Sequence, residues 1–448
     1  MFSAIARIFR TPDLRSKILF TLAIIALFRL GSFIPAPFVN FTGLQNCLDS
    51  ISGDQGSLYD LVNLFSGGAL LKLSIFALGI MPYITASIIV QLLRVVIPHF
   101  DTLYKEGQAG QARLTQYTRY LTIGLGLLQS TTLITVANSG QLFGTNDATC
   151  AGSSILALPP QPFVYFAMGL MVISMTAGTG LIMWMGELIT ERGIGNGMSL
   201  LIFTSIASRF IPSMQQVYAQ GGPNGVELVI GVIVIGLAIL VAVIFVEQSQ
   251  RRIPVQYAKR MVGRRTYGGN NTYIPIKVNM AGVVPVIFAS SLLYLPALVA
   301  QFSQGKNGQN PPWVDWINNN LTRGDNPIYM IVYFLLIVGF TYFYVAITFN
   351  PDEVADNMKK YGGFIPGIRA GRPTAEYLDY VLTRVTLPGS LYLGLVALIP
   401  LIALALINAD QNFPFGGTSI LIMVGVGLET VKQIDSQLQQ RHYEGLLR

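Results

Sequence analysis

The stretch GIMPYITAS at residues 79–87 recurs in the second half of the chain as GVVPVIFAS at residues 282–290. Both copies fit the pattern G-x-x-P-x-I-x-A-S, which aligns Pro82 with Pro285 and Ile84 with Ile287. Their separation is close to half the length of the chain. The match predicts an internal repeat, and chance similarity over so few residues is the alternative.

The composition is that of a polytopic membrane protein. Of the 448 residues, 52% are hydrophobic and 11% are charged, whereas soluble domains are about a quarter charged. Apolar runs of about 20 residues are long enough to cross a bilayer as helices. Such runs predict ten spans, numbered 1 to 10, at about 18–38, 73–97, 117–138, 163–185, 196–210, 226–246, 281–301, 329–349, 387–407 and 417–435. The first run is too long for a signal peptide and ends without an A-x-A site, so we interpret it as a retained span.

The distribution of Lys and Arg predicts the orientation, because cytoplasmic loops carry an excess of both. If the N-terminus is cytoplasmic, Arg29 lies within span 1 and the outside loops contain few basic residues. These are Lys72, Arg209, Lys306 and Arg323. We therefore predict ten spans with both termini in the cytoplasm.

The repeat and the spans together predict the architecture. The copies fall in spans 2 and 7, so the repeat unit is five helices, and the second unit enters the membrane from the opposite side. This predicts an all-α membrane protein with two inverted halves, residues 1–210 (spans 1–5) and 211–448 (spans 6–10), and a functional centre between them. We expect the proline of each copy to kink or weaken its helix. Spans 2 and 7 are therefore candidates for a seam that opens.

One half carries an additional segment. Residues 57–70 form a short apolar run that stops at Gly67-Gly68, ahead of Lys72. About ten helical residues rise about 15 Å, which is half of a bilayer core. No comparable half-helix and glycine pair precede span 7, so we predict that this half-helix belongs to the first half alone.

Groups for catalysis or ion coupling are missing from the predicted spans. Glu187 and Glu191 lie at a cytoplasmic helix junction, Glu429 and Asp435 lie near the end of span 10, and no acidic residue falls at a predicted midplane. An ion-coupled transporter usually buries such a residue. There is no nucleotide-binding P-loop and no Cys/His cluster. We expect a protein that is not an enzyme and has no cofactor or metal site.

Two cysteines, Cys47 and Cys150, fall in the outside loops 39–56 and 139–162. A disulfide can form on that side of the membrane. Two unrelated thiols are the alternative.

Two cytoplasmic loops, 247–280 and 350–386, are long and basic. The alternation in RRIPVQYA predicts a strand, and TYGGNNTY could turn a hairpin. The charges could serve only to set the topology. Basic residues far out on a structured loop instead suggest docking to an acidic protein surface or to RNA phosphate.

Six motifs, in order along nearly the whole chain, resemble the SecY family, the channel subunits of the bacterial protein-conducting translocon and their relatives in the endoplasmic reticulum. They are FSGGALLKLSIFALGIMPYITASIIVQLL (65–93), MWMGELITERGIGNGMSLLIF (183–203), VEQSQRRIPVQYAKRMVGRR (246–265), IPIKVNMAGVVPVIFASS (274–291), FIPGIRAGRPTAEYLDYVLTR (364–384) and FGGTSILIM (415–423). The resemblance implies an hourglass-shaped channel that moves unfolded, signal-bearing chains across the membrane and releases apolar segments sideways into lipid.

The resemblance also implies roles for individual residues. The constriction of the pore would be a ring of Ile80, Ile84, Met198, Ile202, Ile287 and Ile422, with Met198 where isoleucine is usual. The half-helix would be a plug, with Leu61, Val62, Leu64, Phe65, Gly67 and Gly68 among its residues. The lateral gate between spans 2 and 7 would carry Pro82, Thr85, Ser87, Gln91, Asn279 and Pro285. A modest polar cluster there would hold the gate shut, although each polar residue could equally make an ordinary interhelical hydrogen bond.

The partners implied by the resemblance are the motor ATPase SecA or the ribosome on the basic loops, the subunits SecE and SecG, signal sequences of preproteins, and membrane lipid, but no DNA. The docking residues would be Arg251, Arg252, Arg260, Arg264, Arg265 and Arg369.

A bacterial cytoplasmic membrane is the expected location, with a thylakoid as the alternative. A secondary transporter with inverted repeats and an insertion chaperone without a pore are the competing functions.

Overall fold

The computed structural model describes residues 12–51, 67–70, 72–138, 152–160, 163–220, 225–257, 260–262, 265–267, 272–302, 311–322, 326–407 and 417–444. The fold is an all-α membrane fold, and a helix lies at the position of every predicted span. These helices are Pro12–Gly31, Met81–Val96, Gln108–Asn138, Val164–Arg192, Gly197–Gln220, Gly225–Gln248, Val284–Phe302, Pro327–Thr348, Arg372–Ile407 and Gly417–Glu444. By length and composition, six helices in the described ranges can cross a membrane, or seven if Met81–Val96 and Pro98–Lys105, bent by 102°, count as one span.

The first two spans differ from their predicted bounds. The helix of span 1 ends at Gly31 rather than near residue 38, and that of span 2 begins at Met81 rather than near residue 73. The chain before span 2 instead bonds to the chain after span 1, from Ala36 N to the Leu73 carbonyl at 2.9 Å and from Ile75 N to the Ile34 carbonyl at 3.0 Å. These bonds occupy backbone groups that a longer helix would need.

Two other helices are longer than predicted. The helix of span 5 continues through Pro212 to Gln220, so the predicted boundary between the halves at 210 falls inside it. The helix of span 9 begins at Arg372, well before the predicted start at 387. Apolar runs mark only the part of a helix that lies in lipid, so polar ends are missed.

The repeat is visible in the backbone. Gly79 and Gly282 both have positive φ, 56° and 60°. Two residues later each helix begins, and in both copies two consecutive amide groups bond back to one carbonyl, that of Ile80 in the first copy and that of Val283 in the second. Pro82 and Pro285 are the second residues of their helices. Our expectation of a kink at these prolines was therefore wrong, because a proline in the first turn removes no intrahelical hydrogen bond.

The two basic loops, 247–280 and 350–386, which we predicted to be cytoplasmic, form one structured unit. Strand β1 (Gln250–Tyr257) pairs antiparallel with β4 (Thr272–Lys277) and with β5 (Gly363–Phe364), and β2 (Arg260–Val262) pairs with β3 (Arg265–Tyr267). The predicted strand is confirmed, and the centre of TYGGNNTY, 268–271, lies outside the described residues. Apolar side chains of the strands form a buried cluster with the helix Pro351–Lys360 and the start of span 9. Its buried members are Ile253, Val255, Ile276, Ala281, Val345, Met358, Ile365, Leu378, Val381, Leu382 and Val385.

In the two loops that we predicted to lie outside, the helix Phe41–Ile51 packs beside residues 152–158. Asn40 N bonds to the Ile155 carbonyl at 2.8 Å, and Val39 pairs with Leu156 in an isolated antiparallel bridge. Cys47 in this helix is fully buried and disulfide-bonded. Cys150, the other cysteine of the chain, lies outside the described residues.

Candidate functional site

The six proposed ring residues come together in one apolar cluster, which we name the central cluster. Ile80, Met198, Ile202 and Ile422 are among its buried members, and Ile84 and Ile287 are half-buried against it. The other buried members are Ile24, Phe28, Ala69, Phe76, Met81, Ile182, Met183, Met185, Ile189, Leu201 and Ile206. Residues far apart in sequence, from spans 2, 5, 7 and 10, thus meet at the contact between the two halves.

Local backbone geometry brings the ring residues to this position. Ile80 caps the helix of span 2, and Ile84 lies one turn later on the same face. At the start of span 5, the Asn196 side chain accepts a hydrogen bond from Met198 N at 3.1 Å. An asparagine at this position satisfies an otherwise unpaired amide of the first turn. The capped turn fixes the direction in which Met198 and Ile202 point.

Met198 has a second contact, with span 4. A Cβ atom built on Gly186 would overlap the sulfur of Met198 and lie 2.7 Å from its terminal methyl carbon. The side chain therefore lies on the surface that Gly186 leaves open. The flexible thioether fits such an irregular gap, which a β-branched isoleucine would fill less easily.

The helices of spans 2 and 7 contact each other along the predicted seam. Pro82 and Pro285 are buried there, Thr85 and Ser87 are half-buried, and Gln91 is exposed. The Thr85 hydroxyl donates to the Met81 carbonyl of its own helix at 2.9 Å.

Asn279 also bonds within its own half. Its Nδ2 donates to Glu247 Oε1 at 2.6 Å and to the Gly282 carbonyl at 3.2 Å. Among the described residues, the hydrogen bonds of Thr85 and Asn279 therefore do not bridge the seam. The polar cluster that the resemblance implies at the gate therefore stays a prediction.

Only the end of the proposed plug is described. Leu61, Val62, Leu64 and Phe65 lie outside the described residues, while Gly67 and Gly68 have φ values of 66° and 90°. Positive φ at two successive residues favours glycine strongly.

The charged residues beside this glycine pair share one aromatic ring. The Lys72 ammonium lies 4.0 Å and the Arg29 guanidinium 5.4 Å from the centre of the Phe33 ring. Burial, followed by the positive charge of Arg29, lowers the pKa of Lys72. Arg29 Nη1 also donates to the Gly67 carbonyl.

Spans 3 and 4 are joined by an ion pair near the seam. Arg119 donates through Nε to Glu187 Oε1 at 2.9 Å and through Nη2 to Oε2 at 2.8 Å. Tyr83 of span 2 lies within electrostatic reach of both groups. Glu187 is thus a paired structural anion, and a bidentate pair of this kind fixes geometry as well as charge.

The proposed docking residues that the structure describes lie on the structured unit formed by the two basic loops. Arg251, Arg252 and Arg369 are exposed. The Arg252 guanidinium lies 4.8 Å from the centre of the Tyr273 ring on the partner strand. Arg260 and Arg265 belong to β2 and β3, and Arg264 lies outside the described residues.

Three residues with specific contacts were not singled out from the sequence. Arg29 and Arg119 were counted only as charges, and Glu247 only as the first residue of a loop. A signal was present for Arg29, because a cation inside a predicted span is a functional-site candidate by default. For Glu247 and Arg119 the signal lies in their partners, which are distant in sequence.

Comparison with known proteins identifies the family. The SecY family model matches residues 74–431. The protein translocase subunit SecY of Streptomyces galbus is 64% identical over 449 residues, and that of Mycobacterium tuberculosis is 57% identical over 454 residues, each covering 100% of both chains.

Solved structures share the fold. One described as "The structure of a protein conducting channel" has a TM-score of 0.59 at 19% identity, over 93% of this chain and 91% of that one. Sec61 in a canine ribosome-channel complex has a TM-score of 0.56 at 18% identity, over 93% of this chain and 91% of that one. The two relatives match over the full length of the chain, which contains every motif named above. The chain belongs to the SecY family.

Proposed function

We propose that this protein is a protein-conducting channel that moves signal-bearing, unfolded polypeptides across a membrane and releases apolar segments into lipid between spans 2 and 7. The observation that carries the proposal is the convergence of six aliphatic or thioether side chains from four helices in the central cluster. The names of the relatives, protein translocase subunit SecY, agree with it.

The ring chemistry suits a channel for many different chains. A narrow apolar constriction resists wetting and ion flow, so it can form a seal when no polypeptide is present. Ile80 and Ile422 are each 1% exposed, as expected for side chains that seal such a constriction. Aliphatic side chains make no specific hydrogen bonds, so the same collar can fit around side chains of different size and charge.

The seam supplies the lateral exit. In each copy of the repeat the helix begins two residues after a glycine with positive φ, so each gate helix starts from a defined turn. The hydrogen bond of Thr85 lies within the helix of span 2, and those of Asn279 lie within the second half of the chain. Separation of spans 2 and 7 would then leave those bonds intact and exchange mainly apolar contacts for contacts with an arriving apolar helix.

The proposal includes the location and the partners. Both termini lie in the cytoplasm of a bacterial cell, the channel lies in the cytoplasmic membrane, and residues 57–70 close it from outside. SecA or the ribosome docks on the basic cytoplasmic unit, and SecE and SecG complete the complex. The exposed Arg251, Arg252 and Arg369 support docking on this face.

The experiment is reconstitution of the chain with SecE and SecG in vesicles, with SecA and ATP added outside. A preprotein with an intact signal sequence should become protease-protected only when ATP is present, and the same protein without its signal should stay accessible. A complex that accumulates a small solute but never protects the preprotein would identify a secondary transporter instead.

A further inference from the structure

Glu247 lies in the last turn of the helix of span 6, where four other elements of the chain meet. Its carboxylate accepts the 2.6 Å hydrogen bond from Asn279, which lies just before span 7. Lys277 at the end of β4 and Lys432 of span 10 are within electrostatic reach of the same carboxylate. Tyr392 of span 9 is also within its reach. One half-buried anion thus contacts or faces the four elements around the start of the gate helix.

Asn279 depends on this contact. It is 3% exposed, and both of its amide hydrogens are used, one by Glu247 and one by the Gly282 carbonyl. Its Oδ1 and the hydroxyl of Tyr392 have no hydrogen-bond partner among the described residues. A buried polar network that is only partly satisfied is sensitive to the loss of any further bond. The Glu247 carboxylate is the charged partner in this network, so its bond to Asn279 is the strongest one available.

The same contact joins the gate helix to the cytoplasmic hairpin formed by β1 and β4. Gln250 pairs with Lys277, and Val278 N bonds to the Ser249 carbonyl at 3.0 Å. The Asn279–Glu247 hydrogen bond follows these two contacts along the same pair of chain segments, on the side nearer to spans 6 and 7. Span 7 begins five residues after Asn279, and only the turn at Gly282 intervenes.

Span 9 closes this region from the other side. A Cβ atom on Gly389 would overlap the Val278 carbonyl oxygen, so the backbone before span 7 lies directly against span 9. This close approach leaves little free space beside the segment that precedes span 7. A tilt of the hairpin can therefore pass to span 7 through the Glu247 contact, instead of being absorbed by a loose connection.

We propose that Glu247 is a positioning residue that fastens the start of span 7 to the base of the β1–β4 hairpin, so that a partner docking on the hairpin biases the lateral gate through the Glu247–Asn279 contact. This inference rests on the proposed function. Arg251 and Arg252 lie on the strand that begins three residues after Glu247, so a partner bound there is one short segment from the contact.

The test compares three variants in the complex with SecE and SecG. Glu247→Leu removes the acceptor, Glu247→Gln keeps an oxygen that can accept from Asn279, and Glu227→Leu removes an exposed acid at the other end of the same helix. The first readout is signal stringency, the ratio of translocation for a preprotein with an intact signal to that for one with a disrupted signal. Glu247→Leu should lower this ratio about tenfold, equivalent to about 1.4 kcal/mol. Glu247→Gln and Glu227→Leu should stay within about twofold of the wild type.

The second readout separates coupling from a merely structural role. SecA binding should change amide hydrogen exchange at the start of span 7 in the wild type and in Glu247→Gln, but not in Glu247→Leu, although SecA binds all three. Unchanged stringency in Glu247→Leu, or equal losses in Glu247→Leu and Glu247→Gln, would overturn the inference. A wild-type complex that protects no preprotein would instead contradict the proposed function, while the exchange experiment still reports on the coupling.

Discussion

Arg29 Nη1 donates a hydrogen bond to the backbone carbonyl of Gly67 at 3.2 Å. The donor is a cation from the last turn of span 1, and the acceptor is the first described residue after the gap that contains most of the proposed plug. A Cβ atom on Gly67 would lie 3.1 Å from Ser205 Cα and 3.2 Å from Arg29 Nη1. Gly67 therefore lies in a tight gap between span 1 and span 5, and its φ of 66° also favours glycine.

This contact predicts that Arg29 holds the base of the plug. Arg29→Met removes the donor and the charge but keeps apolar volume beside Phe33. A hydrogen bond from a charged group contributes about 1.5–3 kcal/mol when buried. Because Arg29 is only half-buried, we expect about 1 kcal/mol, or about a fivefold increase in resting ion conductance across planar bilayers.

Lys72→Met is the matched control for Arg29→Met. Lys72 lies over the same Phe33 ring, but no hydrogen bond from it to Gly67 is described. Its resting conductance should stay close to that of the wild type. Equal conductance in Arg29→Met and the wild type would show that the Gly67 contact does not hold the plug.

A close approach between span 4 and the chain before span 2 predicts a stability difference between neighbouring glycines. A Cβ atom on Gly178 would overlap the backbone carbonyl oxygen of Ile75, whereas nothing lies within 4 Å of a Cβ atom on Gly180. Backbone atoms cannot move aside cheaply, so Gly178→Ala should cost about 1–3 kcal/mol of unfolding free energy.

The control is Gly180→Ala in the same helix. It should be neutral or stabilising by up to about 1 kcal/mol, because alanine is the better helix former. Thermal unfolding in detergent measures both variants. If the two midpoints shift equally, the close approach at Ile75 does not exist in the folded protein.

The sequence contained much of the fold because its largest signals are local. Runs of apolar residues correctly predicted a helix at every span. The two copies of the repeat, residues 79–87 and 282–290, form turns with the same backbone hydrogen bonds. Boundaries were less accurate where tertiary contacts decide them. The helix of span 2 starts late because Leu73 and Ile75 bond to residues after span 1, and nothing near residue 73 reveals that pairing.

The candidate site likewise contains features that the sequence could predict and features that only the fold reveals. The ring residues could be proposed because they lie inside motifs, and their convergence depends on the packing of whole helices. The partners of Asn279 and Glu187 could not be proposed, because Glu247 and Arg119 lie 32 and 68 positions away and only the fold brings them close. The expected kink at Pro82 was wrong because the helix begins beside the proline instead of passing through it.

The ring assignment predicts the effect of one polar substitution. Ile287 is half-buried against the central cluster, and Ile287→Asn would place an amide in the apolar constriction. A polar group in a narrow apolar pore favours wetting, so resting ion conductance should rise and signal stringency should fall, each several-fold. Translocation of a preprotein with an intact signal should remain close to that of the wild type.

Leu292→Asn is the control for Ile287→Asn. Leu292 lies on the same helix but is 42% exposed, and it is not a member of the central cluster. Its stringency and conductance should match those of the wild type in vesicles that contain equal amounts of complex. The ring assignment for Ile287 fails if its own variant leaves both measurements unchanged.

The docking assignment predicts that charge reversal at Arg369 weakens partner binding. Arg369 is exposed between Gly367 and Gly371, which have φ values of 82° and 103°. The Thr374 hydroxyl donates to its carbonyl at 2.9 Å. This hydrogen bond ties the loop to the start of span 9, and the guanidinium is presented to solvent. Arg369→Glu should reduce SecA binding and ATP-dependent protection of a preprotein about tenfold or more, because it replaces attraction to an acidic surface with repulsion.

Arg372→Glu provides the matched charge reversal. Arg372 pairs with Glu376 one helical turn away at 3.1 Å, whereas no carboxylate is within ion-pair distance of Arg369 in the described part of the chain. An exposed pair of this kind contributes little to stability, so both variants should fold and differ mainly in binding. Added salt should lower the wild-type affinity for SecA, since screening weakens contacts between exposed charges. Protection in Arg369→Glu equal to that in the wild type would remove Arg369 from the docking surface.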